Sequence, residues 1–399
     1  DGMEDRLERF HRFAALPRGP LKEEELIRRL YGSKVRMTAS RAEKIAGCRF
    51  SYFMEYGLKA RPRKRARFGA PETGTFLHYV VENTIRELCL DPQKDRKAVA
   101  EEYMDRYIRE ELEGLRGQSK RLTAIFARLR RMVLAIIDDV WEELQRSAFR
   151  PIRFEMGFGE GEENPAVVIE NGEAQILLGG KIDRLDGYIE GDTLYLKVVD
   201  YKTGRKEFRL SDVLGGINLQ MFLYLIMLQN SKEALLSQAR EALGKTARKV
   251  QTAGVLYVPA KHPYIMADPE EDEKDLAEKQ AKEVRRIGIV LDEPEILEKL
   301  EKAESGNLRF LPISYKKNGG LSSTSQAISA GQFEKLVRGV QRQMQKIAAE
   351  IAKGEIEANP YCTGPQWSVC QWCDFKAACQ FDETMEKFNT RDKNRFERK

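Results

Sequence analysis

The stretch "GGKIDRLDGYIEGDTLYLKVVDYKTG" (179–204) restricts the fold of this chain more than any other. Two runs with alternating apolar residues flank Gly191-Asp192, a pair suited to a two-residue hairpin turn that needs positive φ. That turn sets a register in which Glu190 faces Thr193, Leu185 faces Val198 and Asp183 faces Asp200. Side chains alternate along a strand. One face therefore carries Leu185, Ile189, Leu194, Leu196 and Val198, and at its end Asp183, Asp200 and Lys202. The other face carries Arg184, Asp186, Tyr188, Tyr195 and Lys197, and is expected to meet water.

Two carboxylates opposite each other at the end of an apolar face repel. Placing them beside a core without compensation is costly. A divalent cation resolves the conflict. Mg²⁺ takes oxygen ligands, commonly one or two carboxylates with substrate phosphate and water. Lys202 would then stabilise the phosphate or orient an attacking water. The plain alternative is a buried Asp–Lys ion pair at a sheet edge.

Around the hairpin the chain reads as helices enclosing one small sheet. Helical periodicity covers 4–31, and a capping-box pattern at Ser40 and Glu43 opens a helix through about Tyr56. Further helices are expected from Gly74 to Leu90, over 96–147, 213–229 and 328–353, with a strand at 253–259. Residues 267–306 are acidic and helix-periodic, the mark of a surface insertion. Polar residues on the apolar helices stand out. In "GTFLHYVVENTIREL" His78 lies beside the stripe Leu77, Val81, Thr84, Leu88; alone, it reads more readily as a satisfied core histidine than as a ligand. In "INLQMFLYLIML" Gln220 and Tyr224 share one face, four residues apart. Buried polar groups need partners, within the core or in a site.

Taken in order, His78 in "GTFLH", Asp183 in "GGKIDRLD", Asp200-Tyr201-Lys202 in "DYKTG", and Gln220 and Tyr224 in "QMFLY" resemble the RecB-like branch of the PD-(D/E)XK nucleases. The resemblance implies an α/β restriction-endonuclease-like core, a small mixed sheet flanked by many helices. It also implies that His78, Asp183 and Asp200, with the Tyr201 carbonyl, hold Mg²⁺ or Mn²⁺. Lys202 would be catalytic, and Gln220 and Tyr224 would line the site.

The six cysteines add a second centre. Cys370, Cys373 and Cys379 form a tight trio that wants a fourth ligand. In a reducing compartment such spacing suggests metal rather than disulfide, and spacing alone does not separate zinc from iron–sulfur. Cys48 falls on the stripe Ile45–Cys48–Tyr52, where an inert core cysteine is the ordinary reading. However, "MTASRAEKIAGCRFSYFMEYGL", "GEIEANPY" and "CQFD" resemble the AddB family, the iron–sulfur nuclease subunits of AddAB helicase–nucleases. That resemblance spans roughly residues 31–385 and implies a [4Fe–4S] cluster on Cys48, Cys370, Cys373 and Cys379. Cys89 and Cys362 are left over, and Cys362 is close enough to the trio to compete for the fourth position.

The resemblance implies a DNA exonuclease acting on the 5′-ended strand in double-strand break resection, with DNA ends and an AddA-like helicase–nuclease subunit as partners. The net charge of +5 is compatible with a polyanionic partner. "KARPRKRAR" (59–67) carries Arg61, Arg63, Lys64, Arg65 and Arg67 and is expected to track phosphates, a solvated loop being the alternative. Gly244-Lys245-Thr246 imitates a P-loop, but Ala239 stands where that motif needs glycine, so a helix end or turn is expected. No apolar run approaches the roughly 18 residues of a membrane helix, and no signal peptide is visible, so a cytoplasmic protein is expected. The opening Asp1-Gly2-Met3 suggests a piece of a longer chain. The expected layout is a helical extension over 1–36 and a nuclease domain over 37–399. That domain would carry helical insertions near 91–150 and 262–310 and a cysteine region over 360–385. Competing readings are a stand-alone iron–sulfur exonuclease of the CRISPR-adaptation type and a nuclease-dead DNA-binding module.

Overall fold

The computed structural model describes residues 2–14, 19–62, 69–111, 120–172, 174–204, 206–260, 272–302, 308–316, 320–364, 367–379, 381–382 and 389–390. The chain begins with α1 (Gly2–Ala14), α2 (Glu24–Tyr31), β1 (Val35–Met37), α3 (Ala39–Gly47) and α4 (Arg49–Tyr52). Three longer helices follow: α5 (Ala70–Leu90), α6 (Arg96–Glu111) and α7 (Lys120–Arg146). Then come β2 (Arg150–Phe158), β3 (Val167–Asn171), β4 (Ala174–Leu178), β5 (Gly180–Glu190) and β6 (Thr193–Lys202). The crossover α8 (Leu210–Leu214), α9 (Gln220–Gln229) and α10 (Lys232–Leu243) leads to β7 (Lys249–Pro259). The remainder comprises α11 (Glu273–Val284), β8 (Ile287–Leu291), α12 (Pro294–Leu300), β9 (Ala327–Ile328), α13 (Ala330–Ala352), β10 (Tyr361–Gly364), β11 (Trp367–Ser368), α14 (Lys376–Cys379) and β12 (Asn389–Thr390).

The central sheet is mixed and six-stranded, in the order β2-β5-β6-β7-β8-β9. The hairpin has the register read from its turn: Leu185 pairs with Val198 and Glu190 with Thr193, and Gly191 takes φ 57°. β7 returns parallel to β6, as a helical crossover requires. Leu185, Ile189, Leu194, Leu196 and Val198 are buried in one core with α9 and α13. α5, α6 and α7 close the opposite face over Val199, Tyr201, Val258 and Ala260. Each fully buried aliphatic or aromatic side chain contributes about 1.5–3 kcal/mol, so both faces of this sheet are strongly held.

That second cover overturns the expectation of a wet face. Arg184, Asp186 and Lys197 are fully buried. α7 supplies the missing charge: Glu143 accepts from Lys197 Nζ at 2.8 Å and from Arg286 Nη2 at 2.7 Å. Asp186 receives Arg184 Nε at 2.9 Å and lies 3.1 Å from Lys197 Nζ. Arg286 also pairs with Asp139. Burial pushes the Glu143 carboxyl up, but Arg286, Lys197 and Arg184 outweigh it and hold the group well below the usual carboxylate range. Of the five residues expected to meet water, only Tyr188 and Tyr195 are partly exposed.

Other boundaries differ too. Thr38, not Ser40, caps α3 by accepting from the Arg41 N–H. The expected helix through Tyr56 breaks at Cys48, whose extended backbone (φ −167°, ψ 123°) separates α3 from α4. The 213–229 helix is likewise two pieces, parted where Gly216 (φ 83°) and Asn218 (φ 58°) turn the chain. The stretch expected to be a helical surface insertion carries β8, a central-sheet strand, and the buried side chains Leu300, Leu308 and Phe310. Gly244 is the left-handed cap of α10 (φ 66°), so the P-loop-like sequence does end a helix. Among the described residues, no helix is long and apolar enough to cross a membrane.

Candidate active site

The carboxylates of interest come from three adjacent strands. Asp183 of β5 lies one step beyond the Arg184–Val199 pair, which brings it beside Asp200 of β6. Across the other edge, β2 pairs Phe154 with Arg184 and Met156 with Ile182, so Glu155 stands opposite Asp183. Glu155 has φ 49°, a left-handed value uncommon for a residue with a side chain. Such strain persists where the surroundings impose it, often at functional sites.

α5 brings His78 onto this row. Its Nδ1 lies 3.4 Å from Asp183 Oδ1 and 3.9 Å from Glu155 Oε1, and its Nε2 lies 3.2 Å from the Tyr201 carbonyl oxygen. Asp183 Oδ2 accepts the Tyr201 backbone N–H at 2.8 Å. His78, Glu155 and Asp183 therefore present ligand atoms within 4.8 Å of one another. Lys202 Nζ pairs with Asp200 Oδ2. From the first turn of α9, Gln220 Nε2 donates to Asp200 Oδ1 at 2.7 Å and to Tyr224 Oη at 2.6 Å. All seven residues read from the sequence for this centre thus converge. Glu155 was missed because nothing in "RFEMGF" marks it beyond a single acid amid apolar neighbours.

The electrostatics are those of an acidic centre short of positive charge. Burial, then Asp183, push Asp200 up to about 7, although Lys202 and His78 oppose the shift. Burial and then Asp183 raise Glu155, and burial also raises Glu82, one turn along from His78. Burial pulls the His78 imidazole down, but Asp183, Asp200 and Glu155 more than offset this, and its pKa is raised. Burial, then Asp200 and Asp183, keep the Tyr224 phenol protonated well past its ordinary range. Oxygen donors with one imidazole and an unmet negative charge fit a hard divalent cation.

The cysteines gather elsewhere. Cys48, Cys370, Cys373 and Cys379 line one cavity of about 140 Å³, with Glu43, Lys44 and Ser51 on its walls. Cys362, in β10, is not among the lining residues. Cys373 Sγ approaches Ser51 Oγ at 3.9 Å. Four thiols around one cavity are a donor set that suits an iron–sulfur cluster or zinc. Of the basic stretch, Arg61 is exposed, whereas Arg63, Lys64, Arg65 and Arg67 lie outside the described residues.

Comparison with known proteins accords with this geometry. The family model of the PD-(D/E)XK nuclease superfamily matches residues 36–380. The chain belongs to that superfamily. Its mixed α/β architecture, with paired acidic residues at the ends of β5 and β6, is a PD-(D/E)XK nuclease fold. The chain is also similar to one subunit, designated B, of the ATP-dependent helicase/deoxyribonuclease of Acetivibrio thermocellus. The two are 33% identical over 373 residues, covering 91% of this chain and 31% of the relative. The protein of the same name from Clostridioides difficile is 31% identical over 378 residues, covering 91% of this chain and 31% of its own length. That from Caldanaerobacter subterraneus is 32% identical over 392 residues, covering 95% and 32%. The chain thus spans about a third of the length of these relatives.

Proposed function

We propose that this chain is the nuclease domain of an AddB-like protein, one of the two subunits of a helicase/deoxyribonuclease. It hydrolyses DNA phosphodiesters with a divalent metal, Mg²⁺ or Mn²⁺. The observation that carries the reading is the row Glu155–Asp183–Asp200 with His78 at one end and Lys202 at the other. His78, Asp183, Asp200 and the Tyr201 carbonyl would hold the metal, and Glu155 would be a further ligand at that centre. Such a metal supplies charge neutralisation at the scissile phosphate and acidifies a bound water. Lys202 is poised to act on the phosphate or the attacking water. Gln220 fixes Asp200 and is itself fixed by Tyr224.

In this reading Cys48, Cys370, Cys373 and Cys379 hold a [4Fe–4S] cluster, supported by their common cavity. The working assembly pairs the chain with an AddA-like helicase–nuclease subunit in the cytoplasm. It degrades the 5′-ended strand at double-strand breaks, and Arg61, Arg63, Lys64, Arg65 and Arg67 track single-stranded phosphates. The test is cleavage of an end-labelled DNA with Mg²⁺, Mn²⁺ or EDTA, comparing the native chain with Asp183→Asn. Metal-dependent cleavage lost in the variant is the expected result. Equal cleavage by both proteins would overturn the assignment.

A further inference from the structure

Beyond Lys202 the active centre opens into a cleft of about 390 Å³, lined by Lys202, Lys206, Tyr257, Lys282, Glu283 and Arg285 among others. The charge is lopsided: four cations line it against one carboxylate. Lys206 and Lys282 have no carboxylate within ion-pair distance among the described residues.

The cleft is also built, not merely decorated. Tyr257 is fully buried, and its ring forms a floor beneath two ammonium groups, Lys206 Nζ at 4.8 Å and Lys202 Nζ at 5.7 Å from the centroid. Cations over an aromatic face are attracted by its quadrupole, which keeps both lysines over one spot despite their mutual repulsion. β6 and β7 pair Asp200 directly with Tyr257, so this floor is fixed to the strand that carries the catalytic carboxylate. From the opposite wall Arg285 is anchored by Nη2 donating to the Leu308 carbonyl at 3.1 Å. Among the described residues, Arg285 Nε and Tyr257 Oη are buried donors with no hydrogen-bond partner. Buried donors are rarely left so, and a bound acceptor is the usual remedy.

From this geometry we infer that the cleft is a second phosphate subsite. It holds the phosphodiester next along the same strand from the one at Asp183 and Asp200. The inference rests on the nuclease reading above. Lys202 belongs to both subsites, so a strand whose scissile phosphate lies at Asp200 places its neighbour over Tyr257. Lys206, Lys282 and Arg285 supply the charge there. The class of ligand is a backbone phosphate, recognised without regard to base.

The main variant is Lys206→Ala/Lys282→Ala, both at solvent-accessible side chains. A second is Arg285→Ala, with thermal melting to confirm folding. The first readout is anisotropy of a labelled oligothymidylate in EDTA over a range of salt. The double variant should lower the slope of log affinity against log salt by about 0.7, the value for one phosphate of a single strand no longer neutralised. The second readout is Mg²⁺-dependent cleavage of oligonucleotides carrying one neutral methylphosphonate on either side of a scissile bond. In the native protein one of the two placements should slow cleavage about tenfold, and in the double variant the same placement should cost nothing further. An unchanged salt slope, or a methylphosphonate penalty that survives in the variant, overturns the subsite. If the native chain fails to cut at all, the nuclease reading falls, and the salt slope still judges the cleft.

Discussion

Gln220 donates to Asp200 at 2.7 Å, which ties the first turn of α9 to the end of β6. That helix starts there because the chain turns at Gly216 and Asn218, and because Glu43 Oε1 accepts the Leu219 N–H at 2.9 Å. A carboxylate raised to about 7 is thereby aimed by a neutral amide that cannot change charge. Gln220→Ala should lower kcat about tenfold or more while leaving the melting temperature within a few degrees. Gln220→Glu should be worse, since it adds a fourth carboxylate to Glu155, Asp183 and Asp200. Steady-state kinetics of the two variants check the order.

Asp200→Asn should abolish metal-dependent cleavage and stabilise the metal-free fold. The folded pKa of Asp200 lies above its ordinary 3.8. The native fold therefore binds this proton more tightly than the unfolded chain, and its advantage is lost as pH rises from about 4 through about 7. Asparagine has no such loss. Differential scanning calorimetry in EDTA should show a higher Tm for the variant at about pH 8, a smaller gain at about pH 5 and none at about pH 3. A lower Tm at the higher pH would mean that the carboxylates do not repel.

Lys202→Ala should keep metal binding and lose most hydrolysis, because its ammonium pairs with Asp200, whereas His78 pairs with Asp183. Calorimetric Mg²⁺ titration beside a nuclease assay separates the two. Loss of metal affinity comparable to that of Asp183→Asn would contradict the role.

The hairpin register, the two carboxylates, Lys202, His78, Gln220 and Tyr224 were all legible in the sequence. The hairpin, its carboxylates and Lys202 follow from a turn and a period of two, whereas His78, Gln220 and Tyr224 were drawn to the site by the family resemblance. Burial of Arg184 and Lys197 was not, because the compensating Glu143 sits 54 residues before Lys197 on a helix whose docking no local pattern reveals. Glu155 was missed for the same reason, since it joins the centre only through pairing of β2 with β5. The break at Cys48 was hidden by an apolar spacing that suits a continuous helix, whereas the chain needs an extended residue there.

Glu143→Gln should cost about 3–5 kcal/mol, the usual penalty for removing one member of a buried ionic set. Its pKa is held below the ordinary 4.5, so it stabilises the fold above that value and the contribution vanishes as acid protonates it. Urea denaturation at several pH values should show the native protein losing stability below about pH 4. The variant should be weaker at neutral pH and flatter towards acid.

Cys48→Ala should bleach the iron–sulfur absorbance of anaerobically purified protein and lower its Tm, because metal–thiolate energy is folding energy. Asp183→Asn and Lys202→Ala should stay brown, as their residues lie outside the cysteine cavity. Full iron and sulfide content in Cys48→Ala would transfer the fourth position to Cys362.

The turn at Gly191 gives the molecule an unusual place of weakness. Surface turns are ordinarily where insertions do least harm. Here the turn sets the parity of both arms, and a slip of one residue sends every side chain beyond it to the opposite face. Inserting a single residue between Gly191 and Asp192 would exchange the partners of β5 and β6 along their length, offering Arg184 where Asp183 belongs. The damage would appear roughly 27 Å away, at about 3.3 Å per residue, in a centre that the insertion never touches. A single-residue insertion scan of this protein should therefore find an intolerant point on its outer surface, as severe as loss of an active-centre carboxylate.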